Sequence, residues 1–149
     1  MNQRTVRMIA IAAVLIVSFI AISGFLKPGC YPFYFEKDAE VSELSAKEAF
    51  SMINRNKDNS DFIILDIRTL EEYESGHLEN SIRIDFYSDD FEEQLDKLDK
   101  NKTYLIYCRS ANRSSKALNI MQELGFKEVY HISGGIIEWT EEGFPIVVD

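Results

Sequence analysis

The stretch Thr103-Tyr104-Leu105-Ile106-Tyr107-Cys108-Arg109-Ser110-Ala111-Asn112-Arg113-Ser114-Ser115 decides the fold. Its first five residues are aliphatic, aromatic or β-branched, the composition of a strand buried on both faces. The character then changes abruptly. Seven polar or small residues follow Cys108, and a helical pattern runs from about Arg113 to Leu124, where Gly125 stops it. A buried strand feeding a helix through a short loop is a unit of a parallel sheet. In such sheets ligands bind beyond the carboxyl ends of the strands, which is where Cys108 falls.

The flanking sequence repeats the alternation. Ser45-Ala46-Lys47-Glu48 is a capping box opening a helix to about Asn54, and Thr69-Leu70-Glu71-Glu72 is a second one. Phe62-Ile63-Ile64-Leu65, ending at Asp66, reads as a buried strand, and Ser81-Ile82-Arg83-Ile84 as a short one. Between Asp89 and Leu98 the residues Phe91, Leu95 and Leu98 recur at helical spacing. Val129-Tyr130-His131-Ile132 reads as a last strand, Gly134-Gly135 as a turn, and Ile136 to Glu142 as a final helix. The expected class is α/β, a mainly parallel sheet with helices on both faces. Trp139 is expected as a core anchor and His131 as a strand-end residue with its polar atoms satisfied.

The loop after Tyr107 carries the chemistry. Loop amides at the head of a helix converge on whatever sits there, and the helix start adds partial positive charge. Arg109 and Arg113 add full charges. Each favours a thiolate, so the Cys108 thiol is expected to ionise below its free value of about 8.5 and to act as a nucleophile. A cysteine at a strand end is commonly inert packing. The charged and polar residues after Cys108 suit an anion cradle better than a buried loop.

At this point the sequence resembles the rhodanese family. Cys108-Arg109-Ser110-Ala111-Asn112-Arg113-Ser114 is similar to its active-site loop. Leu65-Asp66-Ile67-Arg68-Thr69-Leu70-Glu71-Glu72-Tyr73-Glu74-Ser75-Gly76-His77-Leu78 is similar to its upstream motif, and Gly134-Gly135-Ile136-Ile137-Glu138-Trp139 with Gly143-Phe144-Pro145-Ile146 to its carboxy-terminal one. The likeness runs from about residue 40 to 149. Two departures stand out: Glu79-Asn80-Ser81 replaces a frequent Pro-Gly-Ala, and Ala111 occupies a position where glycine is frequent and a positive φ would be costly.

The resemblance implies a two-step sulfurtransferase cycle. Cys108 takes sulfur from a donor such as thiosulfate, becomes a persulfide, and passes the sulfur to cyanide or a thiol. It implies that the amides from Arg109 to Arg113, through Ser110, Ala111 and Asn112, hold the persulfide anion. Arg109 would meet an anionic donor, and Arg113 would do the same or pair with an acid. Asp66, Arg68, Glu72 and His77 would form a structural polar network nearby. No cofactor and no metal is implied. Two other functions compete. A phosphatase or arsenate reductase needs Cys-x5-Arg to cradle a tetrahedral oxyanion, and Cys108 to Arg113 is one residue shorter. A non-catalytic binding module would not need the cysteine that this chain keeps.

The amino terminus reads differently. Met8 to Leu26 is 19 residues without a charge, about 28 Å as a helix against a hydrocarbon core of roughly 30 Å. Arg4 and Arg7 precede it. The expected organisation is a cytoplasmic 1–7, a transmembrane signal anchor at 8–26, a linker at 27–37 and the domain at 38–149. The domain would lie outside a cell membrane crossed once, or be secreted or periplasmic after cleavage near Ser23. Cys30 reads as an incidental thiol. The net charge of −9, with all 25 acidic residues beyond residue 26, speaks against a nucleic-acid partner. Expected partners are therefore the small sulfur donor, the acceptor and the membrane.

Overall fold

The structure, a computed structural model, describes residues 40–148, with side chains from residue 42. Five strands, β1 (Glu40–Leu44), β2 (Phe62–Asp66), β3 (Ile82–Arg83), β4 (Thr103–Tyr107) and β5 (Glu128–Ile132), form one sheet in the order β1-β5-β4-β2-β3. Every pairing between them is parallel. The helices are α1 (Ala46–Arg55), α2 (Leu70–Glu74), α3 (Phe91–Asp96), α4 (Asn112–Glu123) and α5 (Gly135–Glu141).

Strand parity divides the core. Side chains alternate between faces along a strand. Tyr104, Ile106 and Cys108 therefore join Phe91, Leu95, Ala117 and Met121 on the side of α3 and α4. Leu105 and Tyr107 join Ala46, Ala49, Ile136 and Trp139 on the side of α1 and α5. Both faces of β4 are covered, which is why its sequence is apolar throughout rather than alternating. Trp139 is 3% exposed, donates from Nε1 to the Pro145 carbonyl at 2.9 Å, and meets the Phe50 ring edge-on.

Both capping boxes form: Ser45 with Glu48 at the head of α1, and Thr69 with Glu72 at the head of α2. The strand β1, which the sequence reading did not assign, pairs with β5 in register from Glu40↔Glu128 to Leu44↔Ile132. The turn expected at Gly134-Gly135 lies at Ser133-Gly134, and the helix after it begins one residue early, at Gly135.

The strand after β4 is β5, its neighbour on one side, whereas the strand after β2 is β3, on the other. The chain thus leaves the adjacent ends of β2 and β4 in opposite directions, and a crevice opens there. Asp66 and Tyr107 end these two strands side by side.

One part of the expected fold class is corrected. Among the described residues no helix is long and apolar enough to cross a membrane. The longest, α4, has 12 residues, about 18 Å against the roughly 30 Å required. The transmembrane helix expected at 8–26, the linker at 27–37 and Cys30 lie outside the described residues. Among the described residues the fold is the parallel α/β sheet with helices on both faces, and none of those helices spans a membrane.

Candidate functional site

Tyr107 ends β4, and the next residue, Cys108, is 1% exposed with its side chain on the α4 side. The chain then turns through Arg109 and Ser110 into Ala111, whose φ of +69° lies in the left-handed region. That conformation costs a residue with a Cβ about 1–2 kcal/mol. It points the first turn of α4 back at the sulfur. The leading amides of a helix have no intrahelical acceptor, and the first regular bond of α4 runs from Ser115 N–H to the Ala111 carbonyl at 2.9 Å.

The Cys108 sulfur meets several of these free donors. Burial pushes its thiol up. The Ser114 amide and hydroxyl and the amides of Ser110 and Arg113 pull it down, and together they leave it below the ordinary thiol value. The Ser114 Oγ lies 3.6 Å from the sulfur. Of the expected ring from Arg109 to Arg113, the amides of Ser110 and Arg113 favour the ionised sulfur, and Ser114, one residue further, favours it through both amide and hydroxyl.

The loop is clamped from the other side by α5. Ile136 N–H donates to the Cys108 carbonyl at 2.9 Å, and Ile137 N–H to the Arg109 carbonyl at 3.2 Å. Gly135, at φ +61°, lies so close that a Cβ there would come within 2.5 Å of the Cys108 carbonyl oxygen. The second of the two glycines that looked like a turn in the sequence is thus a backbone-to-backbone contact with the cysteine loop.

A cavity of about 360 Å³ opens over this loop, lined by Glu72, Tyr87, Cys108, Arg109, Asn112 and Arg113, with Ser110 beside them. The two arginines differ. Arg113 is buried and bidentate to Glu72, at 2.6 and 2.7 Å, with its guanidinium carbon 5.4 Å from the Tyr87 ring centroid. The Arg113 contact, opposed by burial, holds the Glu72 carboxyl down at about 2. Arg109 and Asn112 are exposed, and among the described residues the Arg109 side chain makes no ion pair.

The expected network of Asp66, Arg68, Glu72 and His77 separates into three arrangements. Asp66 and Arg68 form a buried pair at 2.6 Å, with Arg68 also donating to the Gly76 carbonyl at 2.8 Å. Burial works against the Arg68 charge, and Asp66 more than restores it. Glu72 belongs to the cavity through Arg113. His77 stacks on Tyr73 with ring centroids 3.7 Å apart, and its backbone bridges to Val147. At Asn80 the chain takes φ +60°, so asparagine, which tolerates this region, stands in for the glycine of the more frequent sequence. Among the described residues no group of three or more His, Cys, Asp or Glu is arranged to hold a metal.

The rhodanese-like domain family model matches residues 45–142. The chain belongs to the rhodanese-like family. Among solved structures, a rhodanese-related protein from Thermoplasma volcanium is 29% identical, with a TM-score of 0.61 over 72% of this chain and 99% of that one. A rhodanese-like domain protein from Staphylococcus aureus is 25% identical, with a TM-score of 0.59 over 72% of this chain and 98% of that one. Among curated proteins, the tRNA uridine(34) hydroxylase of Photorhabdus laumondii is 40% identical over 104 residues, 63% of this chain. The match spans only 29% of that relative's length.

The expected placement outside a cell membrane, or secreted or periplasmic, is corrected: the curated relatives are named tRNA uridine(34) hydroxylases, and no helix among the described residues is long and apolar enough to cross a membrane. That placement had rested on the apolar run 8–26 and on Arg4 and Arg7 before it. The sequence reading also missed Tyr87 and assigned no part in the site to Ser114 or His131. Ser114 was legible as the third residue of a helix whose head faces an anion. Tyr87 was not, because its loop meets Arg113 only in three dimensions.

Proposed function

We propose that this rhodanese-like domain transfers sulfane sulfur through a persulfide on Cys108. The observation that carries this reading is a buried sulfur at the head of α4, with the Ser114 hydroxyl 3.6 Å away and the helix-head amides favouring its ionised form. Such donors are fixed before any charge develops, so they stabilise an anionic sulfur without reorganising. The Cys108 thiolate attacks the outer sulfur of thiosulfate. A sulfur–sulfur bond forms, the original one breaks, and sulfite leaves with its electron pair. The terminal persulfide sulfur, now anionic, lies toward the cavity. Cyanide or a thiolate then attacks that sulfur, and Cys108 regains its electron pair. Exposed Arg109 meets the sulfonate of the donor. Arg113 is held by Glu72 and orders the loop.

The same ion pair argues against phosphoryl chemistry. Both terminal nitrogens of Arg113 are engaged with Glu72, which leaves neither to grip the oxygens of a phosphoryl group. The test is mass spectrometry of the full-length protein after thiosulfate treatment, with Cys108→Ala alongside. One added sulfur on the Cys108 peptide, removed by cyanide, is the expected result. A folded protein whose Cys108 stays unmodified refutes the cycle and favours a binding module.

The 40% identity to a tRNA uridine(34) hydroxylase favours a second reading, in which the domain contributes to modification of a tRNA uridine. The net charge of −9 opposes direct contact with phosphates. Salt-dependent retention of tRNA by the full-length chain would support the second reading over the first.

A further inference from the structure

Behind the cysteine lies a buried polar chain that begins at the Ser114 hydroxyl and whose far members, His131 and Glu43, the sulfur-transfer steps do not use. Ser114 Oγ is 3.6 Å from the Cys108 sulfur and 3.3 Å from His131 Nδ1. It is also 3.2 Å from the Ala111 carbonyl oxygen. His131 Nε2 is 3.5 Å from a carboxylate oxygen of Glu43 on β1. Ser114 and His131 are 0% and 3% exposed. Strand parity makes the arrangement: His131 shares a face of β5 with Val129, which packs in the core beside Cys108.

A hydroxyl has one proton to give. Here three acceptors surround it: the sulfur, the Ala111 carbonyl and His131 Nδ1. Neutral His131, with its proton on Nε2 toward Glu43, presents a bare lone pair at Nδ1 that competes with the sulfur. Protonated His131 donates from Nδ1 into the hydroxyl oxygen and leaves the hydroxyl proton free for the sulfur. The groups meeting this imidazole are Glu43 from β1, Ser114 from α4 and, beyond the hydroxyl, Cys108 at the end of β4. Burial holds His131 below the ordinary histidine range, with Glu43 opposing it, so the ring is mostly neutral near pH 7 and gains its proton under acid.

We propose that His131 is a positioning residue for Cys108, acting through the Ser114 hydroxyl, whose proton it either claims or releases to the sulfur. The proposal rests on Cys108 being the reactive sulfur, but its test needs no sulfur transfer and so fails separately from the persulfide cycle. By linkage, the charge on the sulfur and the charge on the ring must favour each other equally. The first measurement is the pH dependence of iodoacetamide alkylation of the full-length protein, followed on the Cys108 peptide so that Cys30 does not contribute. The expected profile departs from a single ionisation, with an acid shoulder where alkylation is about threefold faster than the main ionisation predicts. His131→Asn and Ser114→Ala should each collapse it to one ionisation, and Ser114→Thr, which keeps a hydroxyl, should restore it. A shoulder that is absent from the unmutated protein, or that survives in either variant, overturns the proposal.

The second measurement needs no variant to fold. The ring nitrogens of neutral His131 are read by NMR. The proton should sit on Nε2, leaving Nδ1 bare toward Ser114, and a proton on Nδ1 refutes the coupling.

Discussion

Gly135→Ala tests whether α5 sets the shape of the cysteine loop. A Cβ on Gly135 would lie 2.5 Å from the Cys108 carbonyl oxygen and 2.6 Å from both the carbonyl carbon and oxygen of Arg109. None of these is the end of a flexible side chain, so backbone must move. The residue also sits at φ +61°. The left-handed conformation costs about 1 kcal/mol and forcing packed groups apart about 1–3 kcal/mol, for a total of about 2–4 kcal/mol. Displacement also strains the 3.2 Å bond from Ile137 N–H to the Arg109 carbonyl, whose peptide plane carries the Ser110 amide. Gly143→Ala is the control, because Gly143 has φ +74° with nothing within 4 Å of the added carbon. It should cost about 1 kcal/mol and leave the sulfur alone. Urea unfolding gives the stability, and thiolate absorbance against pH gives the Cys108 ionisation. Gly135→Ala should lower the unfolding midpoint well beyond the control at unchanged slope, and should raise the thiol ionisation. Equal midpoints for the two variants, or an unmoved thiol in a destabilised Gly135→Ala protein, would refute the clamp.

Three further outcomes are expected. Glu72→Gln should destabilise the fold near neutral pH by about 1–2 kcal/mol, the roughly 3 kcal/mol implied by the lowered carboxyl being reduced by solvent screening. Because that carboxyl falls from 4.5 to about 2 on folding, the stabilisation is full above pH 4.5 and lost toward pH 2. Unfolding curves for the two proteins should converge over that window, and a constant gap would refute the ion pair as its source. Ala111→Gly relieves the φ of +69° but frees the unfolded chain, for a net gain of up to about 1 kcal/mol; a lower urea midpoint would contradict it. Under the sulfurtransferase reading, Arg109→Gln should raise the KM for thiosulfate about tenfold, the effect of losing one charged contact of about 1.4 kcal/mol, with less change in kcat. An unchanged KM would remove Arg109 from donor binding.

The sequence was most legible where a local rule operates without competition. The two capping boxes formed because Ser45, Glu48, Thr69 and Glu72 satisfy orphan amides within four residues of chain. β4 was legible because burial on both faces leaves no room for polar alternation. The edge strand β1 was not read, because it pairs only with β5 and its Glu-Val-Ser-Glu-Leu sequence carries little apolar signal. Gly134-Gly135 misled for a related reason: turn chemistry and close backbone approach both select glycine. The apolar run at 8–26 shows the limit of composition, which gives a length but neither a place in a fold nor a location.

By itself the sequence determined that a cysteine ends a buried parallel strand at the head of a helix, since strand burial, loop polarity and helix start are all written in consecutive residues. Tertiary structure alone decided which arginine is free. Glu72, 41 residues before Arg113 in the chain, takes both of its terminal nitrogens, while nothing described pairs with Arg109. It also decided which groups satisfy His131 near the end of its strand, Ser114 on one side and Glu43 on the other. Partners brought together by chain crossovers leave no trace in local spacing, because the sheet order, not the sequence interval, sets their distance.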